Sequence, residues 1–452
     1  MKSINPATNK IIKEYREHST EEVIEIINLS NKEWLQWKTT PVSLRRELML
    51  KAADLLRTRK TELAQLMTLE MGKIIRESEA EVEKCAWVCE YYAENAQSFL
   101  QDEVIETDAS KSFVAYQPLG IVLAVMPWNF PLWQVFRFAA PALMAGNGGL
   151  LKHASNVPGC ALAIEDIFRE AGFPKNLFRS LMIPSSMVDP VIDHPAVVAV
   201  TLTGSEYAGS QVASAAGRQI KKSLLELGGS DPFIILDDAD LDLAVPAAVT
   251  ARLINQGQSC IAAKRFIVQE KVLEEFTHRI HEAFKGLKVG DPMDPETNIG
   301  PMARLDLVDD IERQVQESIR MGAVLIAGGA RYEREGCYYQ PTILTNVKPG
   351  MPAYSEETFG PLLAIIPVST EAEAVSVAND SVFGLGGCVW TNDIKQGEHI
   401  ARQVESGAVF VNGMTKSDPR LPFGGIKKSG YGRELGSHGI REFVNVKTIV
   451  VA

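Results

Sequence analysis

Two residue types in this chain combine into a covalent chemistry. Cys260 ends the run Asn255-Gln256-Gly257-Gln258-Ser259-Cys260, and Glu226 opens the run Glu226-Leu227-Gly228-Gly229. A thiolate attacks carbonyl carbon, and a covalent intermediate divides one difficult step into two easier ones. A separate carboxylate can then activate the water that clears the intermediate. Each residue alone has a plainer reading: a small buried hydrophobe for the cysteine, the end of a strand or helix for the glutamate.

Four further runs could complete such a site. Pro127-Trp128-Asn129-Phe130-Pro131 offers an Asn amide, either as a donor to a developing oxyanion or as a turn residue between aromatics. Thr203-Gly204-Ser205-Glu206-Tyr207-Ala208-Gly209 follows an apolar run and opens a helix. Its glycines let a ligand approach the backbone, and a helix N-terminus favours anions. The spacing is not the G-x-G-x-x-G of many nucleotide sites. Glu356-Glu357-Thr358-Phe359-Gly360-Pro361 reads either as a strand end aiming a carboxylate at a ribose hydroxyl or as an exposed acidic loop. Pro422-Phe423-Gly424-Gly425-Ile426-Lys427-Lys428-Ser429-Gly430 reads either as a bend carrying Phe423 to a pocket or as a flexible loop.

The elements that must position these residues follow from periodicity. Apolar residues recur at helical spacing over Glu21–Trp37, Leu48–Met71 and Ala80–Leu100, and Asp102–Gln117 reads as extended. From Gly120 onward, short apolar runs alternate with helices. Ile121–Val125, Gly149–Lys152, Val197–Leu202 and Phe233–Leu236 fit buried parallel strands. A second α/β series contains helices over Leu243–Ile254 and Leu273–Phe284 and strands over Arg265–Val268 and Ala323–Ile326. Thr448–Val451 looks like a strand without a local partner, pairing either with another subunit or with an edge of its own chain.

Composition narrows the function. The 452 residues carry a net charge of −11, with 46% hydrophobic and 23% charged residues. An acidic chain without a basic run argues against nucleic acid and anionic membrane as partners. No apolar window is long enough to span a bilayer, and the start of the chain has no signal-peptide pattern, so a cytoplasmic protein is expected. The six cysteines are scattered rather than arranged as a disulfide framework. Cys85 and Cys89 read as a buried helical pair. The seven histidines form no metal set, with His278 and His281 on a solvated helix face.

Taken together, the six runs resemble the aldehyde dehydrogenase superfamily in order, and the 34-residue separation of Glu226 and Cys260 agrees. The resemblance implies an α/β fold: a Rossmann-like cofactor-binding domain (1–98 and 119–228), an α/β catalytic domain (229–430), and a small β oligomerisation element with a C-terminal tail (99–118 and 431–452). It implies that Cys260 attacks the aldehyde and that Asn129 and the Cys260 N–H hold the oxyanion. Hydride then leaves for a nicotinamide, and Glu226 activates water against the thioester. Glu434, in Gly432-Arg433-Glu434, resembles a second carboxylate that relays protons. For the cofactor, the family implies Trp128, Lys152, Ser155, Gly204, Ser205, Gly209, Leu227, Glu357 and Phe359, with Glu357 on the nicotinamide ribose, Phe359 against the ring and Gly204 and Ser205 at the pyrophosphate.

Within the superfamily the chain resembles the shorter bacterial and cyanobacterial succinate-semialdehyde dehydrogenases. Arg137 stands nine residues after Trp128, where those enzymes bind the substrate carboxylate, and a guanidinium suits a carboxylate bidentately. Ser417 is a second candidate for that carboxylate, and Phe423 lines the substrate side. Two departures stand out. Ile254 replaces an Arg found six residues before the nucleophile in longer relatives, and Ala262 removes a neighbouring thiol. Ser155 replaces the Glu common in NAD-preferring relatives. A carboxylate there repels a 2′-phosphate whereas a hydroxyl donates to it, so NADP is favoured over NAD. Other readings are a broader aldehyde or glutarate-semialdehyde dehydrogenase and, less favoured because Glu226 is present, a coenzyme-A-acylating enzyme. A homodimer or dimer of dimers is expected.

Overall fold

The computed structural model describes residues 1–452. Four helices lead: Thr20–Trp37, Val42–Thr58, Lys60–Met71 and Ile75–Phe99. The first begins in a capping box, where the Ser19 hydroxyl accepts from Glu22 N–H and the Glu22 carboxylate accepts from Ser19 N–H. The apolar repeat over Leu48–Met71 predicts one helix, but the chain breaks at Arg59, which closes one helix and opens the next. No Gly or Pro marks the break. The helix Ile75–Phe99 buries Cys85, Cys89 and Tyr92 on one face, as expected for the cysteine pair.

Two large sheets follow. In the first, the parallel order is 222–226, 197–203, 121–126, 148–153, 178–180, with the short strand 430–431 antiparallel on the outer edge. The apolar runs are buried on both faces, as helix-covered parallel strands must be. The helix Trp133–Met144 is buried along its whole length. Its first turn is fixed by Glu81, whose Oε1 accepts from the N–H groups of Leu132 and Trp133 at 2.9 Å each.

The second sheet runs 324–327, 342–345, 362–368, 263–269, 231–235, 388–390, 410–411 and is parallel except at its first strand. The chain passes from the carboxyl end of Lys222–Glu226 to the amino end of Asp231–Ile235 through Leu227-Gly228-Gly229-Ser230. The carboxyl ends of one sheet therefore meet the amino ends of the other along one seam.

The C-terminal strand, Val444–Val451, has a partner in its own chain. It pairs antiparallel with Lys111–Pro118 over eight residue pairs, and Glu103–Val104 completes this third sheet. The expected strand end at Glu356–Pro361 is corrected. That run follows the short helix Pro352–Ser355 and precedes the strand Leu362–Val368, because Gly360-Pro361 ends the loop instead of starting one. No helix is long and apolar enough to cross a membrane.

Candidate active site

The seam holds a cleft of about 440 Å³ lined by Trp128, Asn129, Gly204, Cys260, Glu357 and Phe359, among others. A second hollow of about 480 Å³ continues it, sharing Ser205, Leu307, Asp310, Glu357 and Phe359. Three of the six runs, together with Lys152 and Ser155, enter from strand carboxyl ends. Pro127–Pro131 follows strand 121–126, Lys152 and Ser155 lie at the end of 148–153, Gly204 and Ser205 follow 197–203, and Glu226 ends 222–226. Cys260 and Glu357 enter from the other sheet, just before strands 263–269 and 362–368. Ligands of open parallel sheets sit beyond the carboxyl ends of the strands.

Gly228-Gly229 is a steric requirement of this junction. A Cβ on Gly228 would stand 2.6 Å from Glu357 Oε2, and one on Gly229 would stand 2.6 Å from the Cys260 carbonyl oxygen. The pair lets the cofactor-side carboxylate and the nucleophile loop press against the crossover.

The nucleophile loop is held from all sides. Asn255, Gln256 and Gly257 run consecutively at φ 50°, 57° and 76°, a left-handed path disfavoured for the first two. Side-chain hydrogen bonds enforce it. Asn255 Nδ2 donates to the Asn129 and Gln258 carbonyls at 2.7 and 3.1 Å. Asn255 N–H donates to Glu77 at 2.9 Å, and Gln258 Oε1 accepts from Ala303 N–H at 2.9 Å. The buried Arg252 guanidinium donates to the carbonyls of Ala263, Gly257 and Thr358. Buried Lys264 donates to those of Ser259, Cys260 and Ala262. Arg252 and Lys264 escaped sequence reasoning. Their partners are backbone carbonyls, which carry no side-chain signature.

Cys260 is half-buried at the cleft. Burial pushes its thiol up to about 12, while Arg137 and Lys264 pull the other way. The thiol therefore needs a base to lose its proton near neutrality. Asn129 is buried; one of its amide N–H groups donates to the Gln258 carbonyl at 3.1 Å, and the other remains for a ligand.

Glu226 is 2% exposed, and neither carboxylate oxygen has a hydrogen-bond partner. Burial holds it well above the ordinary carboxylate range; Arg137 opposes that shift and Glu434 adds to it. The Phe423-Gly424 bend covers it, since a Cβ on Gly424 would meet Glu226 Oε1 at 2.7 Å. Glu434 is buried and ion-paired with Arg137. Arg137, expected to meet a substrate carboxylate, is 2% exposed, with Phe423 against its guanidinium at 4.7 Å and the Thr203 hydroxyl at 3.4 Å. In this structure its charge is already matched by Glu434.

On the cofactor side, Ser205 caps the helix Glu206–Arg218 by accepting from Ala208 N–H. A Cβ on Gly209 would stand 2.6 Å from Leu227 Cδ2, so this glycine lets the helix lie close to the crossover. Lys152 is buried, and burial alone draws its ammonium below the ordinary value, with no carboxylate beside it. That uncompensated cation fits an anionic group, while Ser155 is exposed nearby. Glu357 accepts from Gly229 N–H at 3.0 Å and lies 3.7 Å from Lys264. Trp128 and Phe359 meet edge to face at 5.8 Å. The chain thus fits a dinucleotide: a helix N-terminus and a carboxylate line the cleft, and a buried cation stands on the nearby strand 148–153.

Ser417 is buried. Its Oγ accepts from Lys84 Nζ at 2.8 Å and Trp133 Nε1 at 3.1 Å. Lys84 also escaped sequence reasoning, because it comes from a helix more than 300 residues away in the chain.

A fold of two parallel sheets meeting over a cysteine and a carboxylate defines an enzyme class, and the family comparison agrees. The aldehyde dehydrogenase family pattern matches residues 1–449, and the chain belongs to that family. It is 55% identical over 450 residues to a probable NADP(+) succinate-semialdehyde dehydrogenase of Synechocystis sp., covering 100% of this chain and 99% of the relative. It is 47% identical over 453 residues to succinate-semialdehyde dehydrogenase [NADP(+)] 1 of Mycobacterium tuberculosis, covering 100% and 99%. The crystal structure of succinic semialdehyde dehydrogenase from Streptococcus pyogenes with NADP+ superposes with a TM-score of 0.98 at 38% identity, covering 100% and 99%.

Proposed function

We propose that this chain oxidises succinate semialdehyde to succinate with NADP+, through a thioester on Cys260. The observation that carries the reading is the pairing of a cleft thiol with a buried, unpartnered carboxylate, Glu226, close enough to act on it electrostatically. Cys260 sulfur adds to the aldehyde carbon as the thiol proton leaves through the open cleft to solvent. Asn129 and the Cys260 N–H donate to the oxygen that becomes negative. Bound NADP+ supplies the hydride acceptor. Glu226 then takes a proton from water, which attacks the thioester and releases the acid and the thiol. Glu434 holds Arg137 and lies close enough to Glu226 to raise its proton affinity.

Lys152 and Ser155 would face the adenosine ribose and its 2′-phosphate, with Gly204, Ser205, Gly209 and Leu227 along the pyrophosphate. Trp128, Glu357 and Phe359 would hold the nicotinamide end. Arg137, Ser417 and Phe423 lie toward the substrate carboxylate, Arg137 contributing positive potential. The domain division follows the two sheets: 1–98 with 119–228 for cofactor, 229–430 for catalysis, and 99–118 with 431–452 for assembly. The strand Val444–Val451 is a sheet edge with Val446 and Val450 exposed, which supports a homodimer or dimer of dimers. We assign the protein to the cytoplasm.

The test is NADPH formation with succinate semialdehyde, butyraldehyde and glutarate semialdehyde, with and without coenzyme A. The reading expects the highest kcat/KM for succinate semialdehyde, with no need for coenzyme A. Dependence on coenzyme A, or an equal preference for butyraldehyde, contradicts it.

A further inference from the structure

We propose that Glu77 is a positioning residue of the reaction: acting through the Asn255 backbone, it fixes the two donors that receive the oxyanion. The inference rests on the aldehyde oxidation through Cys260 and Asn129 proposed above, and not on which aldehyde is the substrate.

The need for such a group arises where a helix stops. The helix Leu241–Leu253 gives way to left-handed backbone at Asn255, φ 50°, and Gln256, φ 57°. Asn255 is fully buried, so its N–H must find an acceptor or destabilise the loop. It donates to Glu77 Oε2 at 2.9 Å, on a helix 178 residues earlier in the chain. The charged neighbours of Glu77 are engaged elsewhere. Lys73, one turn earlier, is ion-paired with Glu81, and Arg76 Nη2 donates to the Thr297 carbonyl at 3.0 Å. Glu77 also stands in the first turn of the helix Ile75–Phe99, the end whose dipole favours a carboxylate.

What Asn255 holds is the pair of oxyanion donors. Its Nδ2 donates to the Asn129 carbonyl at 2.7 Å and to the Gln258 carbonyl at 3.1 Å. Asn129 Nδ2 donates to that same Gln258 carbonyl at 3.1 Å. Gln258 donates twice to the Asn255 carbonyl, from its backbone N–H at 3.0 Å and from Nε2 at 3.1 Å. Asn129 and the turn that leads to the Cys260 N–H are thus registered against one residue, and Glu77 anchors that residue from outside. Glu81, one turn further along the same helix, accepts from the N–H groups of Leu132 and Trp133 at 2.9 Å each. Two carboxylates four residues apart therefore tie both donor loops to one helix. Oxyanion donors work only within hydrogen-bond reach of the place where charge develops, and a displacement of about 1 Å can cost about 10²-fold in rate. Glu77 does not line the cleft, so its influence on the chemistry passes through Asn255.

The experiment compares Glu77→Gln, Glu77→Asp and Glu77→Leu by rapid mixing of NADP-loaded enzyme, in excess, with succinate semialdehyde and separately with butyraldehyde. The single-turnover rate of NADPH formation reports the steps up to the thioester alone. Gln keeps the reach of the acceptor and loses the charge; Asp keeps the charge and falls one carbon short. Glu77→Leu should slow NADPH formation about 10- to 100-fold, and Glu77→Asp nearly as much. Glu77→Gln should stay within about threefold of wild type, because a neutral acceptor replaces a charged one at the same place. The ranking should be the same for both aldehydes, and NADP affinity, read by fluorescence titration, should not change. The reverse ranking, with Asp fast and Gln slow, would show that Glu77 acts by charge and would overturn the positioning role. A wild-type rate in Glu77→Leu would overturn it too, as would a loss in all three variants that follows the unfolded fraction seen by circular dichroism. If Glu77→Leu does not fold, the Gln and Asp pair decides the matter. Wild-type enzyme that forms no NADPH with either aldehyde, or Cys260→Ala enzyme that does, would overturn the underlying reaction instead.

Discussion

The nucleophile loop and the Lys84–Ser417 corner are built on opposite plans. Around Cys260, left-handed residues are clamped by Asn255, Gln258, Arg252 and Lys264, and the bonds of Arg252 and Lys264 go to backbone carbonyls. At Ser417, two donors meet one hydroxyl, and donor protons remain unused. The first plan fixes a geometry that the chemistry needs whatever the aldehyde. The second leaves donor protons without acceptors. One region is over-determined and the other under-satisfied.

Cys260→Ala should produce the largest effect: turnover falling by about 10⁴-fold or more with little change in thermal stability, because the clamp does not use the sulfur. Retained NADPH formation would remove Cys260 from the chemistry. Arg252→Met should separate the regions by stability. It orphans the buried carbonyls of Gly257, Ala263 and Thr358, each worth about 1–3 kcal/mol when left unsatisfied. Denaturant unfolding should register a loss of about 3 kcal/mol or more, whereas Ser417→Ala should stay within about 1 kcal/mol. Similar losses in both would erase the contrast.

Arg137 links the two regions, and its removal should appear in the pH profile. Burial already holds Glu226 above its ordinary range, so its base form grows as pH rises through that raised value, and kcat should rise with it. Arg137 opposes the shift. Arg137→Met should therefore move the rising limb of the kcat profile to higher pH, and an unmoved limb would separate Arg137 from Glu226. The linkage has a stability counterpart: native Glu226 keeps its proton to higher pH than the unfolded chain. It therefore makes the fold less stable as pH rises between the two values. The smallest effect is expected at the adenosine end. Ser155 is exposed, so Ser155→Glu should raise the KM for NADP only about two- to fivefold while sparing NAD. A wild-type preference for NAD would contradict the role of Ser155.

What could be read from the chain was local and ordered. The alternation of apolar runs with helices identified both sheets, and the six glycine- and proline-marked runs fall at strand ends, where turns must be. What escaped depended on tertiary closure. Arg137 meets Glu434, and Lys84 meets Ser417, across roughly 300 residues or more. The Val444–Val451 strand found its partner at Lys111–Pro118, far outside any sequence window. Arg59 breaks a repeat that stays apolar through the break, and the Glu356–Pro361 run leads into a strand rather than out of one. Pattern indicates which face is apolar; it does not indicate where a chain turns without Gly or Pro, or which buried cation ends beside which carboxylate.

The division of labour between Cys260 and Glu226 is tested most directly by rapid mixing of Glu226→Gln with NADP and succinate semialdehyde. A Gln cannot take a proton from water, but Cys260 and its clamp remain. The expected trace is a burst of NADPH approaching one per active site, then turnover about 10²- to 10⁴-fold slower than wild type, with the acylated Cys260 recoverable by mass spectrometry. A full wild-type steady-state rate with no burst would contradict the account.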